Sequence, residues 1–327
     1  MTRSESSPIV TVLTAPGEPE PPGMDALRAR ARVRFASDEQ SLRETLPGTR
    51  VMMVTDFRTE ALEAAWSKAD QLEWIHATSA GVDALMFPEL IEGPVKVTNA
   101  RGIFDRSIAE YVLCTMLMFN KDFPTSLRLQ MNHRWKHRDT ERAEGQQVLV
   151  VGAGSIGRQI ARLASAIGMV PHGIARRARS DDPDFAAVHS NEQLMDQLGN
   201  ADFVVIAAPL TPQTEGLFDQ KAFAAMKESA RLINIGRGPI VKTDDLVQAL
   251  KDGSIAGAGL DVFEEEPLPG DHPLWDMENV IMTAHMAGDF IGWRRALTDQ
   301  FLENFDRWLA GDELFNQVNK SLGYAAS

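Results

Sequence analysis

Three polar residues stand just beyond strand-like runs in the second half of the 327-residue chain. Arg237 lies in Ile233-Asn-Ile-Gly-Arg-Gly238, Glu266 in Asp261-Val-Phe-Glu-Glu-Glu-Pro-Leu-Pro269, and His285 in Asn279-Val-Ile-Met-Thr-Ala-His-Met-Ala-Gly288. A histidine titrates near neutrality and can exchange a proton with a substrate oxygen. A carboxylate beside it favours its charged form. An arginine fork grips a carboxylate and polarises a carbonyl. Together the three suit reduction of a 2-oxo acid, whose carbonyl carbon takes a hydride while its oxygen takes a proton. His285 would be the acid/base, Glu266 its partner and Arg237 the substrate anchor. Singly, each has a plainer reading. A lone histidine after a strand is more often structural, Glu264 to Glu266 alone is an acidic turn, and Arg237 is a loop residue. Their order and local settings carry the joint reading.

A hydride needs a donor. Val148-Leu-Val-Val-Gly152-Ala-Gly154-Ser-Ile-Gly157 is a strand running into G-x-G-x-x-G, with a helix pattern directly after it. Gly152 would make the tight turn, Gly154 would let a pyrophosphate approach the backbone, and Gly157 would let the helix pack on the strand. The helix N-terminus would then offer N–H groups and partial positive charge to the phosphates. The alternative is a glycine-rich turn that binds nothing; the flanking strand and helix favour the dinucleotide fingerprint. NAD enzymes place an acid roughly 20 residues further on, to hold the ribose 2′-OH. Here Ala175 stands about there, and Arg176, Arg177 and Arg179 follow. Arginine suits a 2′-phosphate, so NADP(H) is the expected cofactor, with NAD(H) the other candidate. The plainer reading is a solvated basic turn balanced by Asp181 and Asp182.

These residues need a scaffold that gathers strand ends. Short apolar runs at Ile9–Leu13, Val33–Ala36, Val51–Val54, Trp74–Ala77 and Val95–Thr98 alternate with helical patterns at 25–31, 41–46, 60–69 and 82–91. A longer helix pattern spans about Ser107–Asn120, and a polar segment covers 121–146. A second series then has strands at Val148–Val151, Met169–Ile174, Phe203–Ala207, Arg231–Ile235, Ala258–Val262 and Val280–Thr283, with helices at 156–167, 191–198, 220–226 and 243–252. Trp293–Leu309 reads as one amphipathic helix. Alternation of this kind predicts an α/β fold of two doubly wound parallel sheets. Ligands of such sheets bind beyond the carboxyl ends of the strands, where the three polar residues fall.

Length allows roughly two domains of ~150 residues. With 44% apolar and 24% charged residues the composition is that of an ordinary globular chain. A net charge of −13 disfavours binding to nucleic-acid phosphates or an anionic membrane. No stretch approaches the ~20 apolar residues of a membrane span, the N-terminus lacks the apolar segment of a secretory signal, and a cytoplasmic location is expected. The single cysteine, Cys114, excludes an intramolecular disulfide and reads as a buried core residue. Nothing calls for a metal. Trp135 and Trp293 read as packing residues rather than as walls of a pocket or a subunit contact.

With these pieces assembled, the sequence resembles the D-isomer-specific 2-hydroxyacid dehydrogenase family. Gly152-Ala-Gly-Ser-Ile-Gly157, Pro209-Leu-Thr-Pro-Gln-Thr214, Asn234-Ile-Gly-Arg-Gly238, Asp261 to Pro269 and His285-Met-Ala-Gly288 carry the match, and Ser79-Ala-Gly-Val-Asp83 and Ile108-Ala-Glu110 extend it into the first third. Within the family, the arginine cluster and Ser79 to Asp83 look like the glyoxylate/hydroxypyruvate reductase type. The resemblance implies a cofactor domain, residues 109–292, inserted into a flavodoxin-like substrate-binding domain made of 1–108 and 293–327. It implies that backbone N–H groups of Ser79, Ala80 and Gly81 help Arg237 bind the substrate carboxylate. It assigns to the cofactor Gly152, Gly154, Ser155, Ile156 and Gly157, the three arginines, Pro209, Leu210 and Thr214, Ile235 and Gly236, Gly288, and Asp261, which would hold the nicotinamide carboxamide. It also implies a homodimer joined through the cofactor domains. One departure is Ala284, where proline commonly precedes the family's histidine; this should loosen the loop a little. Two other readings remain: a dinucleotide-sensing, corepressor-like binding protein, and a dehydrogenase of the same fold with another hydride donor, such as formate.

Overall fold

The computed structural model describes residues 7–55 and 59–321, and the backbone of 324 and 325. The chain divides into two compact units: Met1–Ile103 with Phe290–Ser327, and Phe104–Asp289 between them. The expected bound after residue 108 falls inside the helix Asp105–Asn120, which belongs whole to the second unit.

The first unit is built on five parallel strands: β1 Ile9–Leu13, β2 Arg32–Ala36, β3 Thr49–Val54, β4 Trp74–Ala77 and β5 Lys96–Thr98. Their order is β2-β1-β3-β4-β5, the flavodoxin-like arrangement. Successive side chains point to opposite faces, and both faces are covered, so both alternations are apolar. Val10, Val12, Val51, Met53 and Trp74 meet Phe301, Phe305 and Trp308 of the helix Trp293–Ala310. Leu13, Met52, Val54 and Ile75 meet Leu42, Leu46, Leu62 and Leu90 on the other side. The helix expected over 82–91 is instead a 3₁₀ turn, Asp83–Leu85, and a short helix, Pro88–Glu92. Pro88 forces this break: it lacks an N–H and keeps Phe87 extended, at φ −82°, ψ 155°.

The second unit has seven parallel strands: β6 Gln147–Val151, β7 Val170–Ala175, β8 Ala187–Ser190, β9 Phe203–Ile206, β10 Arg231–Asn234, β11 Gly257–Leu260 and β12 Val280–Met282. Their order is β12-β11-β10-β9-β6-β7-β8, the doubly wound dinucleotide-binding order extended by one strand. The direction of winding reverses between β6 and β9, which puts the crevice of the sheet at the glycine loop after β6. Val148, Val150, Phe203, Val205 and Ile233 fill one face. Leu149, Val151, Val204, Ile206 and Leu232 fill the other.

Four expectations need correction here. The edge strand β8 is unforeseen; its Ala-Val-His-Ser carries no apolar run. The polar segment after residue 120 contains a helix, Phe123–Met131, with proline in its first turn. Cys114 is exposed rather than buried, and Trp135 is 101% exposed rather than packed. Phe123, Leu127 and Met131 are exposed as well.

Candidate active site

Each glycine of the fingerprint meets a different physical demand. Gly152 sits at φ +107°, and a Cβ there would stand 2.7 Å from the backbone of Ala207 and Ala208. At Gly157 a Cβ would fall 2.1 Å from Gly152 O, so the helix Ser155–Ala166 packs against the strand end only because no side chain intervenes. At Gly154 a Cβ would meet nothing within 4 Å. That position therefore answers to open space beside a helix N-terminus, a cradle that fits the pyrophosphate of a dinucleotide. Gly152 and Ala153 both donate their N–H to Ile174 O, at 3.0 and 3.2 Å, which ties the loop to the end of β7. Arg176 and Arg177 follow directly on β7 and are exposed. Arg179 differs: its Nε lies 3.2 Å from Asp182. The charge-balanced alternative thus holds for Arg179.

The loops after β9, β10 and β11 stack beside the glycine loop. Thr214 folds the Pro209–Thr214 turn onto itself, donating to Pro209 O at 2.7 Å. Its hydroxyl is thereby committed to shaping the turn that presents Pro209 and Leu210. A Cβ on Gly236 would stand 2.8 Å from Ala208 O, so Ile235 and Gly236 pass close over that turn. A Cβ on Gly238 would overlap Phe263 C at 1.8 Å. This close passage brings Arg237 within electrostatic reach of Glu266. Arg237 also donates to Gly236 O at 2.9 Å.

His285 and Glu266, nineteen residues apart, are joined by a 2.8 Å contact between Nδ1 and Oε2. The other carboxylate oxygen accepts the Phe263 N–H at 2.9 Å. Burial works against the Glu266 charge, yet the hydrogen bonds from His285 and Phe263 and the charges of His285 and Arg237 hold its carboxyl below the usual range. A carboxylate only accepts, so Nδ1 carries the proton of this contact and Nε2 is the nitrogen left to exchange one.

His285 has φ +50°, in the left-handed region that costs a non-glycine residue energy. Asp261, 2% exposed, holds it there. Its backbone carbonyl accepts the His285 N–H at 2.8 Å, and its carboxylate accepts the N–H groups of Met286 and Ala287, both at 2.9 Å. Thr283 Oγ1 is 2.6 Å from the same carboxylate and 2.8 Å from Tyr111 Oη. One hydroxyl proton cannot serve both, so Thr283 donates to Asp261 and Tyr111 donates to Thr283. Burial pushes the Tyr111 phenol up, which keeps that proton in place. Three backbone and side-chain donors thus engage the Asp261 carboxylate, and its visible work is to build the His285 loop. Thr283 and Tyr111 were missed from the sequence; the threonine two residues before His285 was the one available signal. A Cβ at Gly288 would come within 3.0 Å of the Phe104 ring.

In the first unit, Ser79 to Gly81 follow β4. Ser79 O accepts the Ala100 N–H at 3.0 Å, and Ala80 O accepts from the Asn99 side chain at 2.6 Å. In a planar trans peptide the C=O of one residue opposes the N–H of the next. The N–H groups of Ala80 and Gly81 therefore point away from Asn99 and Ala100.

Among the described residues no group of histidine, cysteine and acidic side chains could hold a metal, and no helix is long and apolar enough to cross a membrane.

Residues 113–287 match the family model for the D-isomer specific 2-hydroxyacid dehydrogenase, NAD binding domain. A glyoxylate reductase of Thermofilum pendens is 32% identical over 265 residues, covering 78% of this chain and 77% of that one. A D-isomer specific 2-hydroxyacid dehydrogenase of Xanthobacter autotrophicus, solved with NADPH and MES, superposes with TM-score 0.83 at 30% identity, covering 98% of this chain and 100% of that one. An NADPH-dependent glyoxylate/hydroxypyruvate reductase of Sinorhizobium meliloti, solved with NADP and sulfate, does so with TM-score 0.84 at 27% identity, again over 98% and 100%. The chain belongs to the D-isomer specific 2-hydroxyacid dehydrogenase family, as an oxidoreductase that binds a nicotinamide dinucleotide and acts on the CH–OH group of small 2-hydroxy acids, or in reverse on 2-oxo acids.

Proposed function

We propose that this enzyme catalyses the NADPH-dependent reduction of glyoxylate, hydroxypyruvate or a similarly small 2-oxo acid. The observation that carries the reading is the 2.8 Å contact of His285 with Glu266. When bound, the reduced dinucleotide supplies a hydride to the substrate carbon. Gly152 to Gly157 would cradle its pyrophosphate, and Pro209, Leu210, Thr214, Ile235, Gly236, Asp261 and Gly288 would line its remaining length. Arg237 would grip the substrate carboxylate and polarise the carbonyl. His285 would deliver the proton from Nε2 to the carbonyl oxygen, with Glu266 holding the ring and balancing its charge.

Arg176 and Arg177 beside the glycine loop support the preference for NADPH, since each can meet a 2′-phosphate with a bidentate fork. Relatives solved with NADPH or NADP support it too. Assembly as a homodimer through the second unit fits the exposure of Phe123, Leu127, Met131 and Trp135, at 50%, 48%, 80% and 101%. A cytoplasmic site of action belongs to the same reading.

The test is a panel of glyoxylate, hydroxypyruvate, pyruvate, phenylpyruvate and 2-oxobutyrate, each with NADPH and with NADH. Turnover concentrated on the two smallest polar substrates with NADPH is expected. Tight dinucleotide binding with no turnover on any of the five would favour a dinucleotide-sensing role instead.

A further inference from the structure

The loop that carries the arginines runs from Ala175 to Ala187 between β7 and β8, without helix or ladder of its own. Two of its three carboxylates are buried: the side chains of Asp182 and Asp184 are 2% and 7% exposed, while Asp181 is exposed. Carboxylates on a surface loop ordinarily stay in water, because burying them is costly unless they are paired. Here both are paired with one helix. Arg158 grips Asp182 with two parallel bonds, Nη1 to Oδ1 and Nη2 to Oδ2, each 2.8 Å. The same Nη1 reaches Asp184 Oδ2 at 2.8 Å. Arg162 binds Asp184 through Nε at 2.6 Å and Nη2 at 3.2 Å. Arg158 and Arg162 are one turn apart on Ser155–Ala166, the helix that begins at the glycine loop.

The network also reaches the arginine loop itself. Asp182 Oδ2 takes Arg179 Nε at 3.2 Å, and the Arg179 backbone pairs both ways with Val188, at 2.7 and 2.9 Å. Arg179 is thus a strut, while Arg176 and Arg177 stay exposed beyond β7. For Asp184 the Arg162 hydrogen bond outweighs burial, and with Arg158 it holds the carboxyl below the usual range. For Asp182 burial opposes the charge, and the bond from Arg158 and its neighbours overcome it. The network therefore keeps its charges throughout neutral pH. Buried ion pairs contribute little net stability but select one geometry over others.

We propose that Asp182, Asp184, Arg158 and Arg162 form a clasp that positions the arginine loop for a 2′-phosphate, so that choice between the two nicotinamide dinucleotides depends on these positioning residues. This rests on the NADPH reading above. The clasp fastens the loop to the helix that flanks the pyrophosphate cradle, a second connection beside the bonds from Gly152 and Ala153 to Ile174 O at the end of β7.

Position and charge are separable by sign. Arg162→Ala removes a positive charge and Asp184→Asn removes a negative one. If the clasp acts by position, both raise the Kd for NADPH about tenfold, the worth of one charge-assisted hydrogen bond, and leave the Kd for NADH within about twofold. If only charge matters, Arg162→Ala weakens NADPH binding and Asp184→Asn tightens it, which overturns the proposal. Arg162→Lys keeps the charge without the fork. It decides the matter should Asp184→Asn fail to fold: weakened NADPH binding supports the clasp, and unchanged binding refutes it. Binding is read by cofactor fluorescence on the full chain, with thermal melts to show that each variant is folded. Equal affinity of the wild type for NADPH and NADH would remove the NADPH reading and the clasp with it. A wild-type preference for NADPH retained in all three variants would remove the clasp alone.

Discussion

His76 and His285 are the same side chain at two depths, one in each unit. His76 lies inside β4 with no exposed surface, its Nδ1 2.8 Å from Thr98 Oγ1. Among the described residues no carboxylate bonds to it, and burial drives it from 6.5 to about 3. His285 stands after β12 with its side chain 38% exposed and a carboxylate at 2.8 Å. The first is neutral by construction and packs among Trp74 and Phe301. The second meets water and a carboxylate and stands on a strained backbone. A histidine does proton chemistry when water and a partner let both of its forms exist; apolar burial removes one form.

The largest expected effect breaks the second setting outright. His285→Ala should lower kcat/KM for reduction about 10³-fold while leaving NADPH binding by fluorescence within about twofold. Loss of cofactor binding in parallel would make His285 structural, like His76. Glu266→Gln keeps the shape and removes the charge, and should lower kcat about hundredfold, the lower end of the range for acid–base assistance. An unchanged kcat would show that the ring needs no carboxylate.

Asp261→Asn tests what fastens the loop. An amide NH₂ would face a backbone N–H or the Thr283 hydroxyl, costing about 2 kcal/mol, read as a shift in urea midpoint with a reduced kcat. A stable, fully active variant would mean the loop holds itself. The smallest effect belongs to His76. Below 6.5 the unfolded chain takes up a proton that the folded chain refuses, so stability falls with pH. Between pH 7 and pH 5 the first unit should lose about 2 kcal/mol on this account, and His76→Asn should lose that much less. Equal pH dependence in the two proteins would show that His76 is solvated.

Much of this was legible in the residues. Apolar runs such as Ile9–Leu13 and Trp74–Ala77 match their strands end to end, because strands covered on both faces are mostly apolar, Thr11 and His76 being the polar residues within them. The glycine spacing foretold a turn at Gly152 and a close packing at Gly157, and the structure has both, with open space beside Gly154. What escaped was carried by contacts rather than periodicity. β8 is an edge strand of four residues, two of them polar. The helix Phe123–Met131 has its apolar residues four apart, but they face outward. Cys114 sits in an apolar stretch whose outer side remains uncovered. The arginine cluster read as three equal ligands, although Asp182, three residues after Arg179, had already claimed one of them.

The central claim is that His285 gives up a proton during reduction. Its most direct test is kcat/KM for NADPH-driven glyoxylate reduction across pH 5 to 9. Glu266 is held ionised over that whole range, so an alkaline fall is assigned to His285. The account predicts a decline approaching tenfold per pH unit on the alkaline side, with glycolate oxidation changing in the opposite sense. A reduction rate that stays level across the range, with the chemical step shown to be limiting, would contradict it.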